Sequence, residues 1–226
     1  MTRLNGFKAI LFDMDGVILD SMGHHADLWL EILAEESMEV SRDFILQYEG
    51  ALGPDVLLKV MIEAGLVDEE PPDLNERMQD MLTRQARRYI VERASLVRPY
   101  PQAGSMLAAL DRMSLPCALV TSSRRDVVAG CLPQDLGGRF SALVTAEDVS
   151  RHKPHPDPYL SGAAALGLKA EDCLVVENAP AGISAARSAG ATCFALTTTL
   201  PAERLKEAHS IFANLGELAG HLGLEI

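Results

Sequence analysis

The sequence predicts an α/β protein, a doubly wound and mostly parallel Rossmann-like sheet with an inserted, all-helical cap domain. Short apolar runs rich in β-forming residues recur between polar residues or glycines, as buried parallel strands do. These runs are Ala9–Phe12, Cys117–Val120, Ala142–Thr145, Cys173–Val176 and Thr192–Leu196. Helical spacing of apolar residues alternates with them, which is typical of doubly wound sheets. The predicted helices are Pro101–Met113, Arg125–Leu132, Asp157–Leu166, Ala181–Ala189 and Pro201–Ala208, and a last strand and helix are predicted before Ile226.

Residues 21–96 break this alternation. They contain no convincing strand, but apolar residues recur at helical spacing, at Leu28, Ile32, Leu33, Met78, Met81 and Leu82. Two prolines in Arg98-Pro99-Tyr100-Pro101 interrupt the chain where the alternation resumes. We therefore expect an α/β core of residues 1–20 and 97–226 and a helical insertion of residues 21–96.

The composition excludes several classes of protein. The net charge of −12 and the scattered Lys and Arg residues disfavour a nucleic-acid partner, because phosphate backbones require a basic footprint. No segment approaches the ~20 apolar residues of a membrane span, and the first residues do not resemble a secretion signal. The four cysteines form no C-x-x-C pair and are expected to be reduced and buried. We expect a cytoplasmic protein, and nothing in the sequence indicates its oligomeric state.

Two carboxylates follow the first predicted strand. Asp13 and Asp15 can face the same side of an extended chain, and Gly16 permits a sharp turn after them. Such close like charges favour a bound hard cation such as Mg²⁺, and an aspartate can also act as a nucleophile. The alternatives are a solvated turn and a calcium-binding loop. The calcium loop fails, because Val17 and His24 stand where it needs oxygen ligands.

Polar side chains follow three further predicted strands. They are Thr121-Ser122-Ser123-Arg124, which suits an anion cradle or a helix cap, Lys153-Pro154, and Glu177-Asn178. Taken singly, each is more often a cap or a solvated group. Because the carboxyl ends of parallel strands meet in one crevice, together they predict a site for phosphoryl transfer.

These motifs resemble those of the haloacid dehalogenase superfamily of phosphohydrolases, in the branch with a helical cap inserted after the first motif. The resemblance covers essentially the whole chain. The matching motifs are Asp13-Met14-Asp15-Gly16-Val17, Thr121, Lys153-Pro154 and Glu177-Asn178. The stretches KPHPDPY and PAGISAARSAG are similar to those of the branch that contains β-phosphoglucomutase and the phosphoglycolate and sugar-phosphate phosphatases.

The resemblance implies a two-step reaction. Asp13 attacks phosphorus and forms an aspartyl-phosphate, while Asp15 protonates the leaving alkoxide and then activates water. It also implies that the phosphoryl oxygens are bound by Lys153, the Thr121 hydroxyl and the Ser122 amide.

The resemblance further implies a Mg²⁺ site. Its ligands are the Asp13 carboxylate, the Asp15 main-chain carbonyl and the side chains of Glu177 and Asn178. The family usually has an aspartate where this chain has Asn178. An amide oxygen can bind Mg²⁺ but adds no negative charge, so we expect a weaker site that an Asn178→Asp substitution would strengthen.

Substrate selection is expected in residues 22–96, because caps of this branch close over the site. His25 matches a residue near the acid/base group of the mutase, although a surface histidine beside His24 is equally compatible with the sequence. Ser123 and Arg124 are further candidates for substrate contact.

Two features of the cap bear on the choice between a mutase and a phosphatase. The mutase holds the distal phosphate of a sugar bisphosphate with an arginine, and the corresponding loop here, Glu49–Pro54, contains none. That difference favours a phosphatase. Arg84, Arg87 and Arg88 either supply another phosphate contact or form a solvated basic face.

The sequence thus predicts a Mg²⁺-dependent phosphatase of small phosphorylated metabolites, most of all sugar phosphates. The alternatives are a hexose-phosphate mutase of the β-phosphoglucomutase kind and a catalytically weak or silent binding protein, for which Asn178 is the argument.

Overall fold

The computed structural model describes residues 4–48, 61–62, 65 and 74–226. Its strands are β1 (Ala9–Phe12), β2 (Leu19–Asp20), β3 (Arg98–Pro99), β4 (Cys117–Val120), β5 (Ala142–Val144), β6 (Cys173–Glu177), β7 (Thr192–Leu196) and β8 (Ser210–Phe212). Six of them form one sheet in the order β5-β4-β1-β6-β7-β8, with every neighbouring pair parallel. Strands β2 and β3 form a separate antiparallel pair.

Helices fill the connections between strands. They are α1 (Met22–Glu35), α2 (Arg42–Tyr48), α3 (Leu74–Arg88), α4 (Ala103–Arg112), α5 (Arg125–Cys131), α6 (Gln134–Gly137), α7 (Asp157–Ala165), α8 (Pro180–Ser188) and α9 (Leu215–Leu222). A π-helical turn, Tyr89–Arg93, and a 3-10 turn, Ala94–Leu96, lead from α3 to β3. The α/β fold with a helical insertion is confirmed.

The predicted strands agree with the structure except at two ends. Strand β5 stops at Val144, because Thr145 and Asp148 form a reciprocal capping box around the next turn. Strand β6 continues one residue further than predicted, since Glu177 pairs with Ala195 of β7. This extension carries Glu177 to the carboxyl edge of the sheet.

The helix predicted at Pro201–Ala208 is wrong. The structure has only a 3-10 turn there, Ala202–Arg204. Leu205 is buried, whereas residues 201–204 are exposed, so the segment lacks the apolar stripe that would hold a longer helix against the core. The strand and helix predicted after it are present as β8 and α9.

Strand β1 is buried on both faces of the sheet, which explains its continuous apolar run. Ile10 and Phe12 enter one hydrophobic core, which also contains residues of α1, α4 and α9. Ala9 and Leu11 enter the other, with residues of α7 and α8. The sheet is therefore sandwiched between two helical layers.

The strand order predicts a crevice at the end of β1. The chain passes from β1 to β4 and β5 on one side, then crosses to β6, β7 and β8 on the other. In open α/β sheets, such a reversal leaves a crevice at the carboxyl ends of the strands, and ligands bind there. The residues after β1, β4 and β6 lie at that edge.

The remaining predictions are confirmed in some cases and stay open in others. The four cysteines are free and buried, as predicted. No helix among the described residues is both long and apolar enough to cross a membrane. The loop Glu49–Pro54 lies outside the described residues, and the division into residues 1–20 with 97–226 and residues 21–96 stays a prediction.

Candidate active site

The sheet itself fixes the backbone of two predicted site residues. The Asp13 amide donates to the carbonyl of Val176 at 3.0 Å, which extends the pairing of β1 with β6 by one step. The Thr121 amide donates to the carbonyl of Val144 at 2.9 Å, as β4 leaves β5. These residues begin loops, but hydrogen bonds to neighbouring strands hold their main chain.

Lys153 lies between two buried carboxylates. Its Nζ is 2.6 Å from Asp13 Oδ1 and 2.8 Å from Glu177 Oε1, and it donates to the Val120 carbonyl at 3.2 Å. Burial opposes the charge on Lys153, but the two carboxylates outweigh it and raise the lysine pKa. Burial also raises the pKa of Asp13, with Lys153 opposing and Glu177 and Asp15 adding to the rise. The single ammonium of Lys153 thus faces more than one carboxylate. The excess of negative charge favours the binding of a second cation.

Asp15 has a separate shell of hydrogen bonds. Its Oδ1 accepts from Ser21 Oγ at 2.6 Å and lies 3.3 Å from His25 Nε2. Its Oδ2 accepts from Ser123 Oγ at 2.7 Å and from Thr121 Oγ1 at 3.4 Å. Burial opposes ionisation, but the contact with His25 and the two serine hydroxyls outweigh it and lower the pKa of Asp15 to about 2. Asp15 is therefore a carboxylate in this state.

His25 reaches this site from the cap. It is buried on α1, and its ring stacks on Tyr89 with centroids 3.9 Å apart and planes 7° from parallel. Gln85 of α3 places its Nε2 at 3.1 Å from His25 Nδ1. If Nδ1 accepts that amide hydrogen, Nε2 carries the ring proton and points it at Asp15. The structure thus brings His25 to Asp15 and does not leave it at the surface.

The segment after β4 divides between the site and the surface. The Ser123 amide donates to Thr121 Oγ1 at 2.9 Å, which closes a tight turn around the half-buried Ser122. Arg124, predicted as a substrate contact, has a side chain that is 57% exposed and pairs with Asp126 at 3.1 Å. Thr121 and Ser123 therefore meet Asp15, whereas the guanidinium of Arg124 is held outside.

Gly16 and Asn178 bring the first and fourth motifs into contact. Gly16 has φ +83°, and a Cβ added there would lie 2.1 Å from Asn178 Nδ2. Only glycine fits both this conformation and this approach. Asn178 Nδ2 donates to Thr199 Oγ1 at 2.9 Å, and Thr198 Oγ1 donates to the carbonyl of Gly16. The loop after β7 thus joins the two motifs.

The predicted metal ligands are chemically suited to a hard cation. The Asp13 carboxylate, the Asp15 carbonyl and the Asn178 amide all offer oxygen atoms of the kind that Mg²⁺ takes. In the part of the chain that the structure describes, no three His, Cys, Asp or Glu side chains are grouped to hold a metal. Glu177, also predicted as a ligand, is directed at Lys153, and its place among the ligands stays a prediction.

Residues 7–190 match the family model of the haloacid dehalogenase-like hydrolases. The chain belongs to this family. It is an enzyme by that membership, as the sequence predicted.

Named relatives of this hydrolase include phosphatases and a mutase. The chain is 28% identical over 220 residues to the validoxylamine A 7'-phosphate phosphatase of Streptomyces hygroscopicus subsp. limoneus, covering 96% of this chain and 99% of that one. It is 30% identical over 187 residues to the β-phosphoglucomutase of Bacillus subtilis strain 168, covering 81% and 80%. A solved hydrolase from Pseudomonas syringae superposes with a TM-score of 0.82 at 25% identity, covering 95% and 97%.

Two of the three predicted cap arginines of this hydrolase are already paired with carboxylates of α1. Arg84 lies 3.0 Å from Glu35, and Arg88 lies 2.7 Å from Glu31 and 2.8 Å from Glu35. Their charge is thus engaged in joining α1 to α3. In this structure the two arginines are thus paired and not merely solvated, and a phosphate contact by Arg84 or Arg88 stays a prediction.

Three residues of this site were not singled out from the sequence, namely Gln85, Tyr159 and Thr199. Tyr159 donates its hydroxyl to Glu177 at 2.7 Å. It stands in the KPHPDPY stretch, so its nearness to Lys153 was a usable signal. Gln85 and Thr199 have no such local signal, since only the packing of α3 and the loop after β7 brings them to the site.

Proposed function

We propose that this hydrolase is a Mg²⁺-dependent phosphatase of small phosphorylated metabolites, with sugar phosphates as its main substrates. The proposal rests on the different surroundings of two neighbouring aspartates. Asp13 is buried and held at 2.6 Å by Lys153, whereas Asp15 sits among hydroxyl donors and His25. One carboxylate is arranged as a nucleophile and the other as an acid/base group.

In the first step, a carboxylate oxygen of Asp13 forms a bond to phosphorus while the ester bond to the leaving oxygen breaks. The product on the enzyme is an aspartyl-phosphate, and the leaving alkoxide takes a proton from Asp15. Lys153, the Thr121 hydroxyl and the Ser122 amide bind the phosphoryl oxygens and stabilise the charge that develops on them.

The second step needs a base, which the ionised Asp15 provides. It removes a proton from the water that attacks phosphorus, so phosphate leaves and the Asp13 carboxylate is restored. Asp15 then holds the proton that the next leaving alkoxide requires, which closes the cycle. Because the pKa of Asp15 is lowered to about 2 in this structure, the first turnover requires that Asp15 take up a proton as substrate binds; each later turnover uses the proton taken from water.

When bound, Mg²⁺ supplies positive charge that offsets the charge on the transferring phosphoryl group. The residues that would hold it are Asp13, Asp15 through its carbonyl, and Asn178, with Glu177 as a further predicted ligand. Support for the substrate class comes from a relative named for the phosphatase activity it has on validoxylamine A 7'-phosphate, which aligns over 96% of this chain.

The first test is phosphate release from a panel of sugar phosphates and phosphoglycolate, with Mg²⁺ and with EDTA. Asp13→Asn should reduce release about 10³-fold or more, since it removes the nucleophile. Asp20→Asn is the matched control, because Asp20 is an exposed carboxylate at the end of β2 and should turn over normally. A phosphorylated peptide containing Asp13, trapped by acid quench, would support the intermediate. Release that does not depend on Asp13 would contradict the proposal.

A hexose-phosphate mutase is the second candidate, favoured by the contact between His25 and Asp15 and by the mutase relative. It would interconvert hexose phosphate isomers when a hexose bisphosphate is added, whereas a phosphatase would release phosphate faster than it isomerises. If the chain shows neither of these activities, the catalytically silent binding protein is favoured.

A further inference from the structure

Glu177 has no spare hydrogen-bonding capacity. Its Oε1 accepts from Lys153 Nζ at 2.8 Å and from the Tyr159 hydroxyl at 2.7 Å. Its Oε2 accepts from the amides of Asn178 at 2.9 Å and Ala179 at 3.1 Å. A carboxylate has about four acceptor positions, so these four donors occupy them. A metal ion could bind Glu177 only by displacing one of them.

The surroundings also fix the direction of this carboxylate. Its side chain is 1% exposed. A Cβ added to Gly182, in α8, would lie 1.7 Å from Glu177 Oε1 and 2.0 Å from its Cδ. The carboxylate thus rests on the main chain of α8, inside the core.

Tyr159 holds the same cluster from α7. Its side chain is fully buried, and its hydroxyl reaches Glu177. The Lys153 ammonium lies 4.9 Å from the centre of the tyrosine ring, in the range of a cation–π contact. Tyr159 and Glu177 thus both contact the same Lys153 ammonium that lies 2.6 Å from Asp13.

Asn178 differs from Glu177 in this respect. Its Nδ2 is engaged by Thr199 and packs against Gly16, which belongs to the same loop as Asp15. Because the Asn178 amide is hydrogen-bonded through its nitrogen, its oxygen stays available to bind a cation. The neighbouring residues of the fourth motif therefore have different environments.

We propose that the fourth motif is divided: Glu177, held by Tyr159, is a positioning residue that fixes Lys153 at Asp13, while Asn178 alone supplies the motif's metal-binding side chain. This inference rests on the proposed function and removes Glu177 from its ligand set. The cation is then held by one charged side chain, Asp13, and by neutral oxygens.

The division is tested by binding, without turnover. Mn²⁺ stands in for Mg²⁺, and its dissociation constant is measured for the full chain by the loss of the free-ion electron paramagnetic resonance signal. Asn178→Ala should weaken Mn²⁺ about 10-fold or more, as the loss of a supporting ligand does. Glu177→Gln should weaken it about 3-fold at most, since only a nearby charge is lost. Tyr159→Phe should leave it unchanged.

Affinity for inorganic phosphate, measured by calorimetry with Mn²⁺ present, reports on Lys153. Tyr159→Phe and Glu177→Gln should each weaken phosphate binding about 10-fold, because the ammonium is no longer held in place. Tyr100→Phe is the matched control, because its hydroxyl donates to the exposed Asp20 at 3.4 Å and to no group of this cluster, and it should change neither constant. Thermal unfolding confirms that each variant is folded, and Tyr159→Phe carries the test if Glu177→Gln is not.

The outcomes separate the two proposals. If Glu177→Gln weakens Mn²⁺ as much as Asn178→Ala does, Glu177 is a ligand and the inference is wrong. If Tyr159→Phe binds phosphate like the unsubstituted chain, the positioning role is wrong. A chain that binds Mn²⁺ and phosphate as expected but releases no phosphate from esters would overturn the proposed function alone. A chain that binds no Mn²⁺ would overturn both.

Discussion

The two aspartates of the first motif lie in halves of the site that are built differently. The inner half comes from the core alone and consists of Asp13, Lys153, Tyr159 and Glu177. The outer half surrounds Asp15 and draws on the cap, through His25 of α1 and Gln85 of α3, in addition to Ser21 and Ser123. Both halves are polar, but only the outer one depends on where the cap lies.

This difference shows how two aspartates of one short motif can take different roles in the reaction. The surroundings of the nucleophile are buried ion pairs fixed by the sheet, so they persist whatever the cap does. The surroundings of the acid/base group include a cap histidine, so its protonation can respond when the cap moves against the core. The following substitutions test that comparison.

The largest effect is expected in the inner half, from Lys153→Met. The substitution keeps an unbranched side chain, one atom shorter, but leaves Asp13 and Glu177 buried without their counter-charge. We expect a loss of about 3–5 kcal/mol in the free energy of unfolding and about 10³-fold in kcat/KM. Urea unfolding and phosphate release measure the two. Lys169→Met is the control, because its pair with Glu171 is exposed and should contribute under ~1 kcal/mol. Equal urea midpoints for the two variants would contradict this account.

A smaller effect is expected in the outer half, from His25→Asn. The shorter side chain loses the contact with Asp15, so kcat should fall about 10²-fold, as when one acid/base partner is lost. The unfolding free energy should change by only about 1 kcal/mol. His24→Asn, at the neighbouring position of α1, should leave kcat unchanged. If both histidine variants slow turnover equally, the cap does not act on Asp15 through His25.

Gly16→Ala tests the loop where the two halves meet. The new methyl group would strain the backbone and press on Asn178, so we expect a loss of about 2–4 kcal/mol and about 10-fold weaker Mn²⁺ binding. Gly167→Ala is the control, because Gly167 has a similar φ of +69° in open space. It should cost only about 1–2 kcal/mol and leave Mn²⁺ affinity unchanged. Equal Mn²⁺ affinities of the two variants would exclude a link between Gly16 and the cation site.

The smallest effect is expected far from the site, where Glu36 joins α1 to α3. Hydrogen bonds from Arg84 and Arg77 hold the pKa of Glu36 below its usual range. A lowered folded-state pKa stabilises the fold above the unfolded-state pKa of about 4.3, and that stability is lost as the pH falls through the folded value. Glu36→Gln should therefore cost about 1 kcal/mol or less at pH 7 and nothing once the pH is well below 4. Urea titrations at several pH values check this, and a cost that persists in acid would point to packing instead.

The sequence predicted the sheet well, because central strands that are buried on both faces must be continuously apolar. The runs Ala9–Phe12, Cys117–Val120 and Thr192–Leu196 have the predicted ends. The pair β2 and β3 was not predicted, since two residues form no pattern. The helix predicted at Pro201–Ala208 failed because helical propensity without a buried face does not extend a turn.

The site was predictable as far as parallel strands bring their ends together. That rule alone places Asp13, Thr121, Lys153 and Glu177 at one edge. It does not say which partner each side chain takes. The bond from Gln85 to His25 depends on how α3 packs on α1. The hydrogen bonds that saturate Glu177 depend on a tyrosine of α7 and on two main-chain amides just before α8. Such partners follow from packing and not from spacing.

The position of β1 in the middle of the sheet also determines the order in which the chain can be completed during synthesis. Leu11 of β1 pairs with Ala118 of β4 on one side and with Val175 of β6 on the other. One edge of β1 therefore stays unpaired until β6 has been synthesised. At roughly 5–20 residues per second, a ribosome takes on the order of ten seconds to reach β6. During that interval a wholly apolar strand has an open edge, the condition under which nascent chains recruit chaperones or aggregate. The residue that would carry the phosphoryl group is thus translated well before the residues that complete its site.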